Sequence, residues 1–222
     1  MRKANFDKAM IWDLDGVIAD TGPFHFRAWR ELVEGKGRNY TKEDFQHGFG
    51  LRNDDILQSL FGKLEPEEIE LLSRKKEEIF RSLIREDIKP LPGVLQLLGI
   101  AHKDGFGIGL ASSAPIENVE LILSSLGIDK YFDCIVTAGD VRKGKPDPEG
   151  FLIAAYRLGV EPSQCLVIED ATAGVEAAKT AGMKCLAVTN THPRETLAGA
   201  DLTIDSLEKI NSENLRRLIA IA

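Results

Sequence analysis

The sequence predicts an α/β fold, a parallel-sheet core interrupted after its first strand by a helical insert. Three observations carry this prediction. Short β-rich runs alternate with amphipathic helical stretches over most of the chain, the pattern of strands joined by helical crossovers. Between residues 20 and 88 that rhythm fails, no convincing strand occurs, and helical spacing takes over. The 222 residues suffice for one large domain or a domain with a small insert, and a chain of this size buries roughly 70% of its unfolded surface without needing staples.

The elements follow in order. Ala9–Asp13 is an apolar run ending on a carboxylate and predicts the first strand. The insert then carries turn signals at Gly35–Gly37, Gly48–Gly50 and Gly62. Within it, Pro66–Ile84 places Ile69, Leu72, Ile79 and Leu83 at helical spacing, with Pro66 at a favourable first position. The charged run Arg74–Glu78 reads as a solvated face of that helix. Leu91–Pro92–Gly93 marks the return to the core, since Pro and Gly punctuate there. Further strands are predicted at Phe106–Ala111, Cys134–Thr137, Cys165–Glu169, Lys184–Val188 and Asp201–Ile204. Helices are predicted near Gly93–His102, Ile116–Leu126, Glu149–Leu158 and Ala173–Ala181, each ending close to a glycine. The expected division is a core of residues 1–19 and 89–222 and an insert of residues 20–88.

Composition narrows the function. Hydrophobic residues make up 43% and charged residues 28%, which excludes a disordered or collagen-like chain. Lys and Arg total 28 against 35 for Asp and Glu, a net charge of −7, so no basic footprint for nucleic acid is expected. A phosphorylated small molecule stays open as a partner, because a local cation cluster or metal overrides the net field. The three cysteines, Cys134, Cys165 and Cys185, form no C-x-x-C pair, which argues against a zinc site or a disulfide framework. A reducing, cytoplasmic setting is expected, with no membrane segment and no demand for more than a monomer.

The run Asp13-Leu14-Asp15-Gly16 puts two carboxylates where an apolar strand ends and a turn opens. By itself such a pair reads equally well as an ordinary strand-end turn. Glu169 and Asp170 end another apolar run in the same way. Parallel strands bring both pairs to one sheet edge, where four carboxylates repel unless their pKa values rise or a divalent cation sits among them. Oxygen ligands alone favour Mg²⁺. Two further strand ends supply Ser112 and Ser113 just before a helix, a ready anion site, and Lys145 in a loop beside Pro146. Singly, Ser112 reads as a helix cap and Lys145 as a surface lysine. At these strand ends together they point to phosphoryl chemistry.

These four segments resemble the motifs of the haloacid dehalogenase superfamily of phosphohydrolases, and the resemblance spans the whole chain. It implies a Rossmann-like core with an α-helical cap. It implies Asp13 as the nucleophile that forms an aspartyl-phosphate and Asp15 as general acid and base, with a raised pKa. Asp13, the backbone carbonyl of Asp15 and Asp170 would hold Mg²⁺, with Glu169 ligating or positioning a bound water. Ser112 and Lys145 would bind the phosphoryl group. A nucleophile of ordinary carboxylate pKa is ionised at neutral pH and needs no base. Dehalogenating members lack the second aspartate, so Asp15 points to phosphoryl transfer.

The segment Asp20–Trp29 resembles the first cap segment of β-phosphoglucomutases and is similar to that of several small-sugar phosphatases. The residues matching Thr21, His25, Trp29 and Lys76 couple cap closure to the acid/base or contact substrate in the mutases; each also reads as packing or surface. In Gly50–Asp55 the position of the mutase's phosphate-gripping arginine is filled by Asn53, with Arg52 one place earlier. A one-residue displacement turns a guanidinium away from bidentate recognition unless the loop readjusts. The expectation is therefore a Mg²⁺-dependent phosphatase acting on a small sugar phosphate, with a β-phosphoglucomutase as the alternative. A receiver-like phospho-acceptor is disfavoured by the long insert and by the D-x-D-G run on strand one.

Overall fold

The computed structural model describes residues 6–84 and 88–220. The ends of the expected core, and residues 85–87 of the expected insert, lie outside them. Six strands form one parallel sheet: β1 (Ala9–Trp12), β2 (Gly107–Ala111), β3 (Cys134–Val136), β4 (Cys165–Glu169), β5 (Lys184–Val188) and β6 (Leu202–Ile204). Their order is β3-β2-β1-β4-β5-β6, as in Rossmann-like folds. Sequence-predicted strand ends differ by at most one residue. Asp13 and Thr137, for example, fall just past the strands that position them.

Strands β1, β2 and β4 are buried throughout, because helices cover both faces of a parallel sheet. Alternate residues feed two clusters. Met10, Trp12, Leu110 and Ile168 pack on one face with Leu97 of α5 (Val94–Lys103) and Ile122 of α6 (Ile116–Leu126). Ile11, Val167 and Cys185 pack on the other with Phe151 of α7 (Glu149–Leu158) and Ala177 of α8 (Thr172–Thr180). Phe151 is a fully buried aromatic, and truncation to alanine at such a site costs about 3–5 kcal/mol. Helix α9 (Ser212–Ala220) closes the first face through Leu215.

Among the described residues, the helices α1 (Gly22–Glu34), α2 (Lys42–Gly48), α3 (Asn53–Phe61) and α4 (Pro66–Ile84) follow β1. They share a third cluster that includes Trp29, Leu32, Leu57 and Leu72, while Ala28, Phe80 and Ile84 join the sheet's first face. The two chain passages flanking them run side by side, Ala19 bridging Pro90 and the Leu91 N–H donating to the Ile18 carbonyl at 2.8 Å. Among the described residues no helix is long and apolar enough to cross a membrane.

Candidate active site

Because β1 lies between β2 and β4, the residues following these three strands share one edge of the sheet. Successive connections leave β1 in opposite directions there, and a crevice opens at such a switch point. Asp13 continues the ladder, its N–H donating to the Ile168 carbonyl at 3.0 Å, and the Ser112 N–H does the same to Val136 at 3.0 Å. Glu169 ends β4 and Asp170 follows it.

Lys145 reaches in from the loop before α7. Its Nζ donates to Asp13 Oδ1 at 2.5 Å and to Glu169 Oε1 at 2.6 Å. The other Glu169 oxygen accepts the N–H groups of Asp170 and Ala171 at 2.8 and 2.9 Å, where α8 begins. Gly174 leaves room for this cradle, since a Cβ there would overlap the Glu169 carboxylate. Gly16 does likewise for Asp170. Its φ of 77° is left-handed and its missing Cβ would strike the Asp170 carboxylate, which accepts a hydrogen bond from Thr191 Oγ1.

Asp13, Glu169 and Asp170 are buried and offer oxygens within 4.8 Å of one another. Burial pushes the Asp13 carboxyl up to about 7; Lys145 opposes the rise, and Glu169 and Asp15 reinforce it. Asp170 is raised by burial first, then by the Glu169 and Asp13 charges. Burial disfavours the Lys145 ammonium, yet Asp13 and Glu169 together hold its pKa above the ordinary lysine range. One ammonium among three carboxylates leaves the cluster short of positive charge. That shortfall and the all-oxygen donor set fit a hard divalent cation such as Mg²⁺. Burial thus raises the Asp13 carboxyl above the ordinary value expected from residue type, and an added cation would favour its ionised form.

Asp15 faces the helical segment. Its Oδ1 accepts from Thr21 Oγ1 at 2.5 Å and lies 3.2 Å from His25 Nε2. Lys76 Nζ lies 2.7 Å from His25 Nδ1. An ammonium only donates, so Nδ1 accepts and Nε2 carries the hydrogen toward Asp15. Burial opposes ionisation of Asp15, but His25 and Thr21 outweigh it and bring the carboxyl below its usual range. The raised pKa expected for this residue is thus not found, because donors converge on it. Thr21 occupies the N-cap position of α1 yet makes no side-chain cap bond; its hydroxyl serves Asp15 instead.

The helical residues depart further from expectation. Arg74, Lys75 and Glu78 are exposed, but Lys76 and Glu77 are buried, correcting the solvated reading of that run. Lys76 falls on the series Leu72, Lys76, Phe80, Ile84, so the helix's own four-residue spacing carries it inward. His25 stacks on Phe80 with ring centroids 3.9 Å apart. Trp29, expected among the substrate contacts, is instead 2% exposed in the helical cluster, and Lys76 Nζ lies 5.2 Å from its ring centroid. Its place is behind Lys76, as packing.

The profile of the haloacid dehalogenase-like hydrolase family matches residues 10–188. The chain belongs to that family. Among its relatives, the beta-phosphoglucomutase of Bacillus subtilis (strain 168) is 38% identical over 218 residues, covering 94% of this chain and 93% of the relative. The fructose-1-phosphate phosphatase YqaB of Escherichia coli (strain K12) is 36% identical over 183 residues, covering 81% of this chain and 95% of the relative. The crystal structure of beta-phosphoglucomutase (pgmB) from Clostridium difficile superposes with a TM-score of 0.86 at 33% identity, covering 96% of this chain and 97% of that one. Relatives of this kind make the chain a phosphomonoester hydrolase or phosphoryl transferase.

In this haloacid dehalogenase-like chain, Arg52 crosses from the helical segment to the loop after β3. Its Nη1 donates to the carbonyls of Val141 and Arg142 at 3.4 and 3.2 Å, and its Nη2 to Asp54 at 3.4 Å. Asn53 donates through Nδ2 to Glu77 Oε1 at 2.8 Å. Ser113 lines the cavities on both the Asp15 side and the Lys145 side. Sequence reasoning missed Thr191, Gly174, Glu77 and Asn118. Thr191 was findable, since it follows β5 at the same sheet edge as the other site residues. The remaining three carry no local signal, because their partners lie on other elements.

Proposed function

We propose that the protein is a Mg²⁺-dependent phosphatase of small sugar phosphates that works through an aspartyl-phosphate on Asp13. The observation that carries hydrolysis over mutase chemistry is the commitment of two cap side chains, Arg52 and Asn53. Arg52 is directed to the Val141 and Arg142 carbonyls, and Asn53 is held by Glu77, so neither presents a free bidentate grip for a second phosphate.

Asp13 and Asp170, with the backbone carbonyl of Asp15, would hold Mg²⁺, and Glu169 would ligate or position a bound water. When bound, the ion offsets repulsion between Asp13 and the phosphate and stabilises charge on the transferring group. The remaining work falls to the chain's own residues. The Asp13 carboxylate attacks phosphorus in line, the ester P–O bond breaks, and the departing alkoxide takes a proton from protonated Asp15. Lys145 and Ser112 hold the phosphoryl oxygens during transfer. Water then attacks the phospho-aspartate, Asp15 accepts its proton, and breakage of the bond to Asp13 frees phosphate. His25 and Thr21 favour the ionised form of Asp15 in the free chain, the form the second half uses. The first half requires Asp15 to take up a proton as the anionic substrate binds beside it, since a neighbouring negative charge raises a carboxyl pKa.

The 38% identity to the Bacillus subtilis beta-phosphoglucomutase favours the mutase as a second reading. One incubation separates them: β-glucose 1-phosphate with Mg²⁺ and a trace of glucose 1,6-bisphosphate, following free phosphate and glucose 6-phosphate together. Free phosphate without glucose 6-phosphate is expected. Fast glucose 6-phosphate with little phosphate would establish the mutase instead. Asp13→Asn should lose turnover and keep its fold, and retained activity would remove the nucleophile assignment.

A further inference from the structure

We propose that Asn190 and Thr191, the pair that follows β5, are positioning residues for the divalent cation. They fix two of the groups assigned to it, the Asp170 carboxylate after β4 and the Asp15 carbonyl after β1. The inference deepens the Mg²⁺ reading above and rests on it. The sheet itself carries the pair to the site. Glu169 and Ala187 are partners in the β4–β5 register, and past the end of β5 the Thr189 N–H still donates to the Ile204 carbonyl at 2.9 Å. The next two residues leave the ladder beside Asp170.

Each member of the pair grips a different loop. Thr191 Oγ1 donates to Asp170 Oδ2 and, among the described residues, is the one hydrogen-bond donor to that carboxylate. Asp170 is 1% exposed, so water does little to hold it. Oδ2 also packs against Gly16, where a Cβ would overlap it and Thr191 Oγ1 together. With Oδ2 held in this way, Oδ1 is the oxygen left for a cation. Asn190 Nδ2 donates to the Gly16 carbonyl at 2.8 Å, and the Gly16 N–H donates to the Ala19 carbonyl at 2.9 Å. Gly16 is thus tied on both sides. The Asp15 carbonyl lies in the same peptide plane as the Gly16 N–H, so its direction is set by these bonds. Groups standing behind metal ligands fix the ligands' orientation, and their removal weakens metal binding about 10–100-fold.

The test is Mg²⁺ binding, by isothermal titration calorimetry, to wild type, Thr191→Val, Thr191→Ser and Asn190→Ala, with the melting temperature of each measured in chelator. Thr191→Val keeps the shape of the side chain and removes its donor, and should weaken Mg²⁺ by about tenfold or more. Thr191→Ser keeps the hydroxyl and should bind close to wild type. Asn190→Ala should weaken Mg²⁺ by about tenfold through Gly16. A merely structural role would lower the melting temperature in chelator and leave the Mg²⁺ dissociation constant unmoved. That result in either Thr191→Val or Asn190→Ala would overturn the proposal, as would a Thr191→Ser that binds no better than Thr191→Val. If circular dichroism shows Thr191→Val unfolded, Asn190→Ala decides on the same terms. A wild type that binds no Mg²⁺ would instead remove the Mg²⁺ reading, and this inference with it.

Discussion

Replacing Lys145 by methionine would take the ammonium out of a pocket of three buried carboxylates. Two contacts vanish together, at 2.5 Å to Asp13 and 2.6 Å to Glu169. At an effective dielectric constant of about 20, each is a Coulomb attraction of about 6 kcal/mol. Dehydration of the partners offsets much of that, and breaking a buried pair costs about 3–5 kcal/mol net. The loss has a definite pH signature. The folded-state pKa of Asp13, about 7 with Lys145 pulling it down, rises further in the variant. The folded state then holds a proton that the unfolded chain releases near 3.8. Stability from a raised carboxyl is fully present below the unfolded value and is lost as pH rises through the folded one. The variant's deficit should therefore be larger at about pH 8 than at about pH 5. Urea unfolding in chelator at both pH values, followed by circular dichroism, measures it. Asp13→Asn in the same chain should recover part of the loss. A variant as stable as wild type at the higher pH, or a deficit equal at both, would refute the charge argument.

Mg²⁺ should raise the melting temperature, and its affinity should climb with pH across about 7, because the Asp13 proton must leave. A melting temperature flat across millimolar Mg²⁺ would count against a preformed site. His25→Ala removes a partner that lowers the Asp15 pKa. The alkaline limb of kcat/KM for a sugar phosphate, where Asp15 must be protonated to serve the leaving alkoxide, should accordingly move to higher pH, and an unmoved limb would free Asp15 from His25 control. Gly174→Ala would drive a Cβ into the Glu169 carboxylate. It should destabilise the fold by about 1–3 kcal/mol and weaken Mg²⁺ binding; a variant with unchanged melting temperature and affinity would show that the cradle yields without cost.

Much of the core was legible because its signals are local. Apolar runs such as Cys165–Ile168 read as buried strands, and a parallel sheet brings strand ends to one edge, so the shared edge of Asp13, Ser112 and Glu169 is legible along the chain. The solvated reading of the Lys76 run fails because charge alone hides the four-residue spacing, and in the folded chain the Leu72–Phe80 ridge takes Lys76 inside. Neither the raised Asp13 carboxyl nor the lowered Asp15 carboxyl is legible along the chain. Residue type sets only the starting value, and burial with neighbouring charges sets the rest.

The chain's own order of residues determined the α/β class, the strand ends that carry the acidic pairs, and the phosphoryl chemistry they support. Those properties follow from periodicity and from residue type at element boundaries, both written along the chain. Tertiary structure alone decided that donors converge on Asp15, that Arg52 is turned toward the loop after β3, and that Glu77 lies buried between Asn53, Lys76 and Asn118. Each of these depends on distances between segments far apart in sequence, and hydrogen bonding and charge act through those distances.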